Sequence, residues 1–286
     1  MSEIESELGP VCEAVVQSTV RITPEDRDEV RRMTLSIDDP SFRFREGQSI
    51  GVVVKGPHAF GNPYHMRRYS IANGRQPVGD EAVEIEILVR RCFYLDEVSG
   101  EQHPGIASNY LCDARPGDAI TITGPYRSPF VVPRDENANL LMIGTGTGIA
   151  PFRAFIQHVY GLNREWNGQV RLFYGARTGM DLLYRNDAED DLANYYDEKT
   201  FKAFKGLISK PLAQDEQALG NTLDDHAAEA WELMQDGRTY VYLAGLGKVA
   251  EVLDNVMARA AGSERVWHET RDWMRREGRW AELIYG

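Results

Sequence analysis

Three glycines near the middle of the chain, Gly144, Gly146 and Gly148, lie between an apolar segment and a segment with helical periodicity. The apolar segment, LLMIG, has the composition of a buried strand. Because glycine has no side chain, backbone N–H groups in such a turn can approach a pyrophosphate closely, and the following helix presents the positive end of its dipole to it. This arrangement predicts a dinucleotide-binding turn, in which the Thr147 hydroxyl could bind a phosphate oxygen.

The segment HMRRYSIAN, at 65–73, contains a second set of residues that could bind a cofactor. Arg67, Tyr69 and Ser70 would place a cation, an aromatic ring and a hydroxyl at one end of a strand. This combination suits a phosphate-bearing aromatic cofactor. An arginine and a tyrosine at a strand end are also typical of a surface ion pair and of the edge of a core, so the segment alone leaves both interpretations open.

The composition excludes several classes of protein. The 286 residues include 32 Lys and Arg against 44 Asp and Glu, which gives a net charge of −12. Nucleic-acid binding draws on clustered cations, so this balance argues against a nucleic-acid partner. The sequence contains no run of about 20 apolar residues that could span a bilayer. We therefore expect an ordinary globular protein with no membrane span.

The cysteines and the N-terminal segment indicate the cellular compartment. Cys12, Cys92 and Cys112 are too few and too scattered for a disulfide framework, a zinc site or an iron–sulfur cluster. No metal site is therefore predicted, and a reducing compartment is favoured. The acidic N-terminal segment MSEIESELGP lacks the pattern of a signal or transit peptide, so we expect a cytoplasmic protein of bacterial origin.

The polar segment PRDENAN, at 133–139, separates two sequence patterns. Before it, apolar residues alternate with polar ones in short runs such as VEIEILV at 83–89, which is typical of half-buried antiparallel strands. After it, short apolar strands alternate with helical segments, which is typical of a parallel sheet with helices on both faces. We predict an α+β protein with two domains, an antiparallel β-barrel or sandwich over 1–136 and an α/β domain over 137–286.

The elements of the second domain follow from the same patterns. The predicted strands are 140–144, 170–175, 206–209 and 239–244. The predicted helices are about 149–161, 179–194, 222–236, 247–261 and 263–278.

Several segments in this order resemble the plant-type ferredoxin–NADP(+) reductase family. They are RRYSIAN, GIASNYLCD (105–113), IGTGTGIAPFRAF (143–155), YLAGL (242–246) and a terminus one residue beyond Tyr285. The resemblance begins near Pro10 and runs to the C-terminus, so it covers nearly the whole chain. It implies an FAD-binding antiparallel β-barrel followed by a pyridine-nucleotide domain, which agrees with the division seen near residue 135.

The resemblance implies that residues of this chain cover both faces of the flavin ring. Tyr69 would stack on one face, and Arg67 would reach the FAD pyrophosphate. Ser70 would lie near the flavin N5, where its hydroxyl bonds N5 or orients the nicotinamide. Tyr285 would cover the other face and yield to the nicotinamide. Ser70 and Tyr285 are therefore the predicted catalytic residues.

The rest of FAD would bind farther along the first domain, again by resemblance. Tyr94 matches the ring that stacks on the adenine, and Arg90 matches a basic residue that contacts phosphate. Gly105, Ala107 and Ser108 match the loop whose backbone and hydroxyl bind the FAD diphosphate.

In the second domain the resemblance adds nicotinamide-dinucleotide contacts to the glycine turn. Thr147 matches a contact to the pyrophosphate. Gly245 and Leu246 match the last two residues of the family's CGL-type motif, which lies beside the nicotinamide. Ser209 and Lys210 match the pair that grips the 2′-phosphate. A hydroxyl and a cation favour NADPH, but the carboxylates that follow in PLAQDEQALGNTL (211–223) would repel a phosphate. We therefore favour NADP(H) and keep NAD(H) as an alternative.

Two positions depart from the family pattern. Ala244 stands where the family carries a cysteine beside the nicotinamide, and Leu283 stands where it carries a glutamate. The nearest carboxylate, Glu282, is one residue early, and a shift of one residue on a strand turns a side chain to the opposite face. These departures affect the route of the proton and the fine geometry of hydride transfer. The hydride itself still passes directly between the two bound cofactors, which the protein positions.

The function implied is that of an FAD-dependent oxidoreductase that exchanges hydride with NADP(H) and single electrons with ferredoxin or flavodoxin. Flavin suits this role because it accepts two electrons as hydride and releases them one at a time. An acidic carrier could dock on basic residues near the predicted flavin end or on the basic segment 271–279. The first set is Arg43, Arg45, Lys55 and Arg68. The alternatives are an NADH-dependent reductase component that feeds an oxygenase or another terminal acceptor, and a non-catalytic flavin-binding subunit.

Overall fold

The computed structural model describes residue 8 and residues 10–39, 41–58, 61–75, 82–96, 100–161, 166–176, 200–207 and 215–285. The chain divides into two units. The first contains the described residues up to Ser128 together with Arg153–Phe155, and the second contains Pro129–Phe152 and the described residues from Ile156 onward. The division follows Ser128, eight residues before the boundary that we placed at residue 136.

The first unit is built on an antiparallel sheet of six strands in the spatial order β4-β3-β8-β1-β2-β5. These strands are β1 (Val11–Arg21), β2 (Val30–Ile37), β3 (Ser49–Lys55), β4 (Tyr64–Ser70), β5 (Val83–Arg90) and β8 (Ala119–Tyr126). A separate two-stranded hairpin follows β5, and a helix follows the hairpin. These are β6 (Phe93–Leu95), β7 (Gln102–Pro104) and α1 (Ile106–Asp113).

The two edges of the six-stranded sheet meet beyond the end of β4. Ile71 forms an antiparallel bridge with Ile87 of β5, and the Ala72 N–H donates to the Glu86 carbonyl at 2.7 Å. The Asn73 side chain extends this pairing, since its oxygen accepts from the Glu86 N–H at 2.7 Å and its amide donates to the Glu84 carbonyl at 3.1 Å. The sheet is therefore closed into a barrel, as predicted, and its open edges are removed.

The barrel interior follows the alternation seen in VEIEILV. Ile85, Ile87 and Val89 are fully buried, and they pack in one cluster with apolar residues of the other strands. Burial of each such side chain stabilises the fold by about 1.5–3 kcal/mol. The period-2 pattern of β5 thus fixes which of its faces forms the core.

The second unit contains a parallel sheet of five strands in the order β11-β10-β9-β12-β13, with helices between them. The strands are β9 (Asn139–Thr145), β10 (Val170–Ala176), β11 (Phe201–Leu207), β12 (Thr239–Leu246) and β13 (Trp280–Tyr285). The helices are α2 (Ala150–Val159), α3 (Asp215–Asp225), α4 (Ala227–Gln235), α5 (Lys248–Ala260) and α6 (Glu264–Arg276), and a single 3₁₀ turn over Gly146–Ile149 precedes α2. The parallel sheet and its alternating helices confirm the predicted fold class.

Two predicted elements of the second unit differ from the structure, and one strand was not predicted. β11 spans Phe201–Leu207 rather than 206–209, because lysines interrupt the apolar residues of FKAFKGL and obscure the strand pattern. The helix predicted at 222–236 is two helices that meet at His226, whose φ of −122° and ψ of 18° are not helical. β13 was not among the predicted strands. The helix predicted at 179–194 lies outside the described residues.

Among the helices that the structure describes, none is long and apolar enough to cross a membrane. The described residues also contain no group of three or more His, Cys, Asp or Glu side chains that could hold a metal ion.

Candidate functional site

Strand β4 carries the first set of predicted site residues. Side chains alternate along a strand, so Arg67 and Tyr69 share one face and Ser70 lies on the other. Arg67 is exposed, whereas Tyr69 packs against the buried barrel core. Burial, together with the nearby Cys92 and Cys112 thiols, raises the pKa of the Tyr69 phenol well above its ordinary value. Tyr69 therefore remains a neutral aromatic surface beside an exposed cation.

The backbone of Cys92 connects this region to the start of α1. Cys92 precedes β6, and its carbonyl accepts from the Gly105 N–H at 2.9 Å. Its own N–H donates to the Ser108 hydroxyl at 3.1 Å. Since Tyr69 packs against the core cluster that includes Leu111 and Cys112 of α1, the structure brings Tyr69 close to the helix that begins at the predicted diphosphate-binding residues.

Those predicted diphosphate-binding residues begin a helix, whereas the family resemblance implies a loop there. Helix α1 has Gly105 at its N-cap, with no side-chain capping hydrogen bond and no acidic residue in the first turn. A Cβ at Gly105 would lie 2.9 Å from the Ser108 hydroxyl and 3.2 Å from the Cys92 carbonyl, so this tight position favours glycine. The uncapped backbone N–H groups and the positive dipole end are suited to a phosphate group.

The Ser108 hydroxyl supports this turn from inside. It donates to the Gly105 carbonyl at 3.3 Å while accepting from Cys92, and Ser108 is only 8% exposed. Its predicted contact with the FAD diphosphate stays a prediction, because its one proton already has a backbone partner.

Arg91 is a supporting residue that the sequence reasoning missed. Its guanidinium donates to Glu29 at 2.6 Å, to Asn109 at 2.9 Å and to Asp113 at 2.8 Å. The Asn109 amide in turn donates to the carbonyls of Cys92 and Gly105, both at 2.9 Å. Arg91 thus holds one face of α1 against the end of β5. The i, i+4 spacing of Asn109 and Asp113 on a helix was the available signal.

Arg90 and Tyr94, the two other predicted FAD contacts of the first unit, differ in their surroundings. Arg90, at the end of β5, forms an ion pair with Asp28, so binding a phosphate would use its remaining N–H groups or break this pair. Tyr94 lies in the β6–β7 hairpin and is 58% exposed, which leaves its ring available to a ligand. Both assignments remain predictions.

The glycine turn of the second unit joins β9 to α2, and its three glycines have different roles. A Cβ at Gly148 would lie 2.7 Å from the Ala244 carbonyl oxygen, and a Cβ at Gly144 would lie 2.8 Å from the same oxygen. These two glycines therefore allow the turn to contact β12 closely. Gly146 instead has a φ of +54° and nothing within 4 Å of its Cβ position among the described atoms, so its backbone is the part open to a ligand.

The open helix start in this unit is that of the 3₁₀ turn, whose N-cap residue Thr145 makes no side-chain capping bond. Helix α2 continues directly from that turn, and the Ala150 N–H donates to the Thr147 carbonyl. The N-cap residue of α2, Ile149, makes no side-chain capping bond, and no acidic residue lies in the first turn. Pro151 lies at one of the first two helical positions, where its missing N–H is tolerated. The Tyr174 hydroxyl lies 3.4 Å from the Gly146 carbonyl and supports the turn from β10. The turn can therefore bind a pyrophosphate as predicted for Thr147 and the glycines.

The carboxyl ends of the parallel strands bring the other nucleotide-site candidates to one edge of the sheet. Gly245 has a φ of +146°, and Leu246 beside it is 50% exposed. Tyr285 is the register partner of Leu246 on β13. The predicted 2′-phosphate ligands, Ser209 and Lys210, lie outside the described residues.

The two departures from the family pattern are neighbours in the sheet. Ala244 of β12 and Leu283 of β13 are register partners, so an apolar pair stands where the family has a thiol and a carboxylate. Glu282 does not replace that carboxylate. It accepts hydrogen bonds from Arg275 of α6 and from the Trp280 indole, both at 2.5 Å.

The sequence and the fold are similar to those of known oxidoreductases. Residues 142–254 match the family model described as the oxidoreductase NAD-binding domain. The ferredoxin–NADP reductase of Thermosynechococcus vestitus is 33% identical over 263 residues, which cover 90% of this chain and 68% of that protein. Leaf isozyme 1 of the chloroplastic enzyme from Arabidopsis thaliana is 34% identical over 259 residues, covering 85% and 68% of the two chains.

The chain belongs to the plant-type ferredoxin–NADP(+) reductase family. It is accordingly an oxidoreductase. A solved ferredoxin–NADP(+) reductase from Plasmodium falciparum has the same fold, with a TM-score of 0.74 over 96% of both chains at 16% sequence identity. The reductase fold therefore accounts for both the closed barrel and the parallel sheet.

Proposed function

We propose that this member of the reductase family binds FAD in its barrel unit and NADP(H) in its parallel-sheet unit, and passes electrons between NADP(H) and ferredoxin. The observation that carries the proposal is that each unit has an uncapped helix N-terminus beside predicted nucleotide-binding residues. In the barrel unit this is α1, which follows Gly105. In the sheet unit it is the 3₁₀ turn over Gly146–Ile149, which leads into α2. Two phosphate-binding helix starts are what an enzyme with two dinucleotides requires.

The barrel residues fit FAD by chemistry and position. Arg67 and the start of α1 would bind the diphosphate, and the neutral Tyr69 ring would lie against the isoalloxazine. FAD, when bound, supplies the conversion between a two-electron hydride and single electrons. Heat release followed by chromatography should yield one FAD per chain. Release of FMN, or failure to bind flavin after reconstitution, would contradict the proposal.

Replacing Tyr94 with alanine is expected to weaken FAD binding by about 1–3 kcal/mol, because an aromatic contact and its buried area are lost. The measurement is titration of the flavin-free protein with FAD. Leu95→Ala is the matched control, since Leu95 neighbours Tyr94 on β6, is 68% exposed and points to the other face of the hairpin. Equal affinity of wild type and Tyr94→Ala would remove Tyr94 from the FAD site.

Within this proposal the chain's own residues position the reactants. The Ser70 hydroxyl holds or orients the group at the flavin N5, and Tyr285 excludes water from the flavin face until the nicotinamide displaces it. The apolar pair of Ala244 and Leu283 supplies no proton donor beside the nicotinamide. Transfer of hydride needs none, because no proton moves in that step.

Replacing Tyr285 with serine is expected to tighten NADP⁺ binding by about 2- to 13-fold, because the nicotinamide no longer competes with a stacked ring worth about 0.5–1.5 kcal/mol. Turnover can still fall, since tightly bound product leaves slowly. Difference titration with NADP⁺ measures the affinity. Ile284→Ser is the control, because Ile284 lies on the opposite face of β13 and is 39% exposed. Unchanged affinity in Tyr285→Ser would show that the ring does not cover the flavin.

The carrier protein is proposed to dock on the barrel unit. Its basic residues Arg43, Arg45, Lys55 and Arg68 are all exposed, and among the described residues none forms an ion pair within 4 Å. In the other basic segment, Arg271 already pairs with Asp254 and Arg275 with Glu282. Exposed cations without an ion-pair partner among the described residues, in a protein of net charge −12, suit an acidic ferredoxin or flavodoxin.

Charge reversal at Arg45 or Lys55 is expected to slow ferredoxin-dependent cytochrome c reduction and to leave direct dye reduction by NADPH intact. The wild-type rate should fall as salt rises, because exposed charges are screened over about 8–10 Å at 0.1–0.15 M. Arg265→Glu, on α6 in the second unit, makes the same charge change as a control; its side chain is 79% exposed. A ferredoxin-dependent rate unaffected by both reversals would place the docking surface elsewhere.

NADP(H) remains the proposed coenzyme, supported by the Ser209 and Lys210 pair, with NAD(H) as the alternative. An NADH preference would indicate a reductase component for an oxygenase or another terminal acceptor. The cytoplasmic, bacterial setting expected from the sequence also remains a proposal.

A further inference from the structure

We infer that His103 forms, with Tyr94, a two-ring platform that positions the adenine of FAD. The inference rests on the proposed function, because Tyr94 has a ligand there only if FAD binds to the barrel unit. His103 had no assigned role, and it lies in none of the segments that carry the family resemblance.

The two rings are held together by the register of the hairpin. Tyr94 of β6 and His103 of β7 are directly paired across the two strands, so their side chains lie on one face. The ring centroids are 5.3 Å apart, and the ring planes differ by 29°. This is the offset stacking that aromatic pairs favour. The imidazole thus covers one face of the phenol ring and restricts its rotation.

The pair remains partly open to solvent. Tyr94 is 58% exposed although it is stacked, and 41% of the His103 side chain is exposed. A two-stranded hairpin with strands of three residues is only marginally stable by itself. An ordered but exposed aromatic stack in such a hairpin is suited to receiving another planar ring on its free face.

The platform lies at a fixed separation from the diphosphate-binding turn. The Gly105 N–H donates to the Cys92 carbonyl at 2.9 Å, which ties the two ends of the hairpin together at the start of α1. Tyr94 is two residues from Cys92, or about 7 Å along an extended strand. This separation corresponds to the ribose between the diphosphate and the adenine of a dinucleotide, so a diphosphate at α1 would place the adenine near the platform.

Since His103 covers one face of Tyr94, adenine would stack on the other. His103 then acts as a positioning residue: it holds the Tyr94 ring in the orientation that adenine requires, without touching the flavin. The alternative is that His103 occupies the face of Tyr94 that adenine needs, and it predicts the opposite change in FAD affinity. In that case removing His103 would tighten FAD binding.

The test compares FAD and FMN, because FMN lacks the adenine. Flavin-free full-length protein is titrated with each flavin, for wild type, His103→Ala, His103→Phe and the control Gln102→Ala. Gln102 neighbours His103 on β7, is exposed and points to the other face of the hairpin. His103→Ala should weaken FAD binding about 2- to 13-fold and leave FMN binding unchanged. His103→Phe should restore FAD binding, and Gln102→Ala should match wild type.

Three results would overturn the inference: unchanged FAD affinity in His103→Ala, tighter FAD binding in that variant, or equal losses of FAD and FMN affinity. Equal losses would mean that the substitution disturbs the diphosphate-binding turn rather than the platform. Failure of the wild-type protein to bind FAD would be a different outcome, since it would remove the proposed function itself.

Discussion

Replacing Gly148 with alanine is expected to destabilise the parallel-sheet unit by about 2–3 kcal/mol, as overpacking of a tight contact does. The new Cβ would lie 2.7 Å from the Ala244 oxygen, 2.8 Å from the Ala244 carbonyl carbon and 2.9 Å from the Gly245 nitrogen. All three are backbone atoms, so no flexible side chain can move aside. The midpoint of thermal unfolding should fall by roughly 4–12 °C, and NADP⁺ binding should weaken by roughly 10-fold or more, because the turn must shift.

Gly237→Ala is the matched control for this substitution. Gly237 lies in the same unit, and its Cβ position has nothing within 4 Å among the described atoms. Its replacement should leave NADP⁺ affinity unchanged and alter stability by no more than about 1 kcal/mol. Normal stability and normal NADP⁺ affinity in Gly148→Ala would contradict the close contact between the glycine turn and β12.

Replacing Lys210 with glutamate is expected to lower kcat/KM for NADPH by roughly 10- to 100-fold, or about 1.4–2.8 kcal/mol, while NADH changes little. The reason is that a cation at this position contributes to binding only when the coenzyme carries a 2′-phosphate, which NADH lacks. Steady-state kinetics with both coenzymes give the two ratios directly.

Arg276→Glu makes the same change of charge and serves as the control, because Arg276 is an exposed residue in the last turn of α6. It should affect neither coenzyme. Equal losses for NADPH and NADH in Lys210→Glu would show that Lys210 has another role, and would favour the NADH-dependent alternative.

Local patterns were sufficient to predict most of the fold. The alternation in β5 placed Ile85 and Ile87 in the barrel core, because Ile85 lies between Glu84 and Glu86 and Ile87 lies two residues farther along the same face. The strand before Gly144 and the helix after it were equally clear. β11 was misplaced because its lysines break the apolar pattern of FKAFKGL. No local signal showed that the barrel closes through Asn73, since its partners lie 11 and 13 residues away.

The candidate site was predictable by residue type more than by role. The glycine pattern located the dinucleotide turn, but only the structure shows that Gly144 and Gly148 contact β12 while Gly146 is open. The family resemblance implies a loop at the residues that begin α1. Eight residues after a glycine carry too little periodicity for the sequence to identify a helix there. The adjacency of Ala244 and Leu283 depends on the register between β12 and β13, which the sequence does not state.

The central claim is tested most directly by anaerobic stopped-flow reduction of the flavin-loaded protein with NADPH and, separately, with NADH. If the account is correct, NADPH bleaches the flavin rapidly and NADH much more slowly, and added ferredoxin then reoxidises the flavin. Failure of both coenzymes to bleach the bound flavin would contradict the proposed enzyme activity, and faster reduction by NADH would contradict the proposed coenzyme.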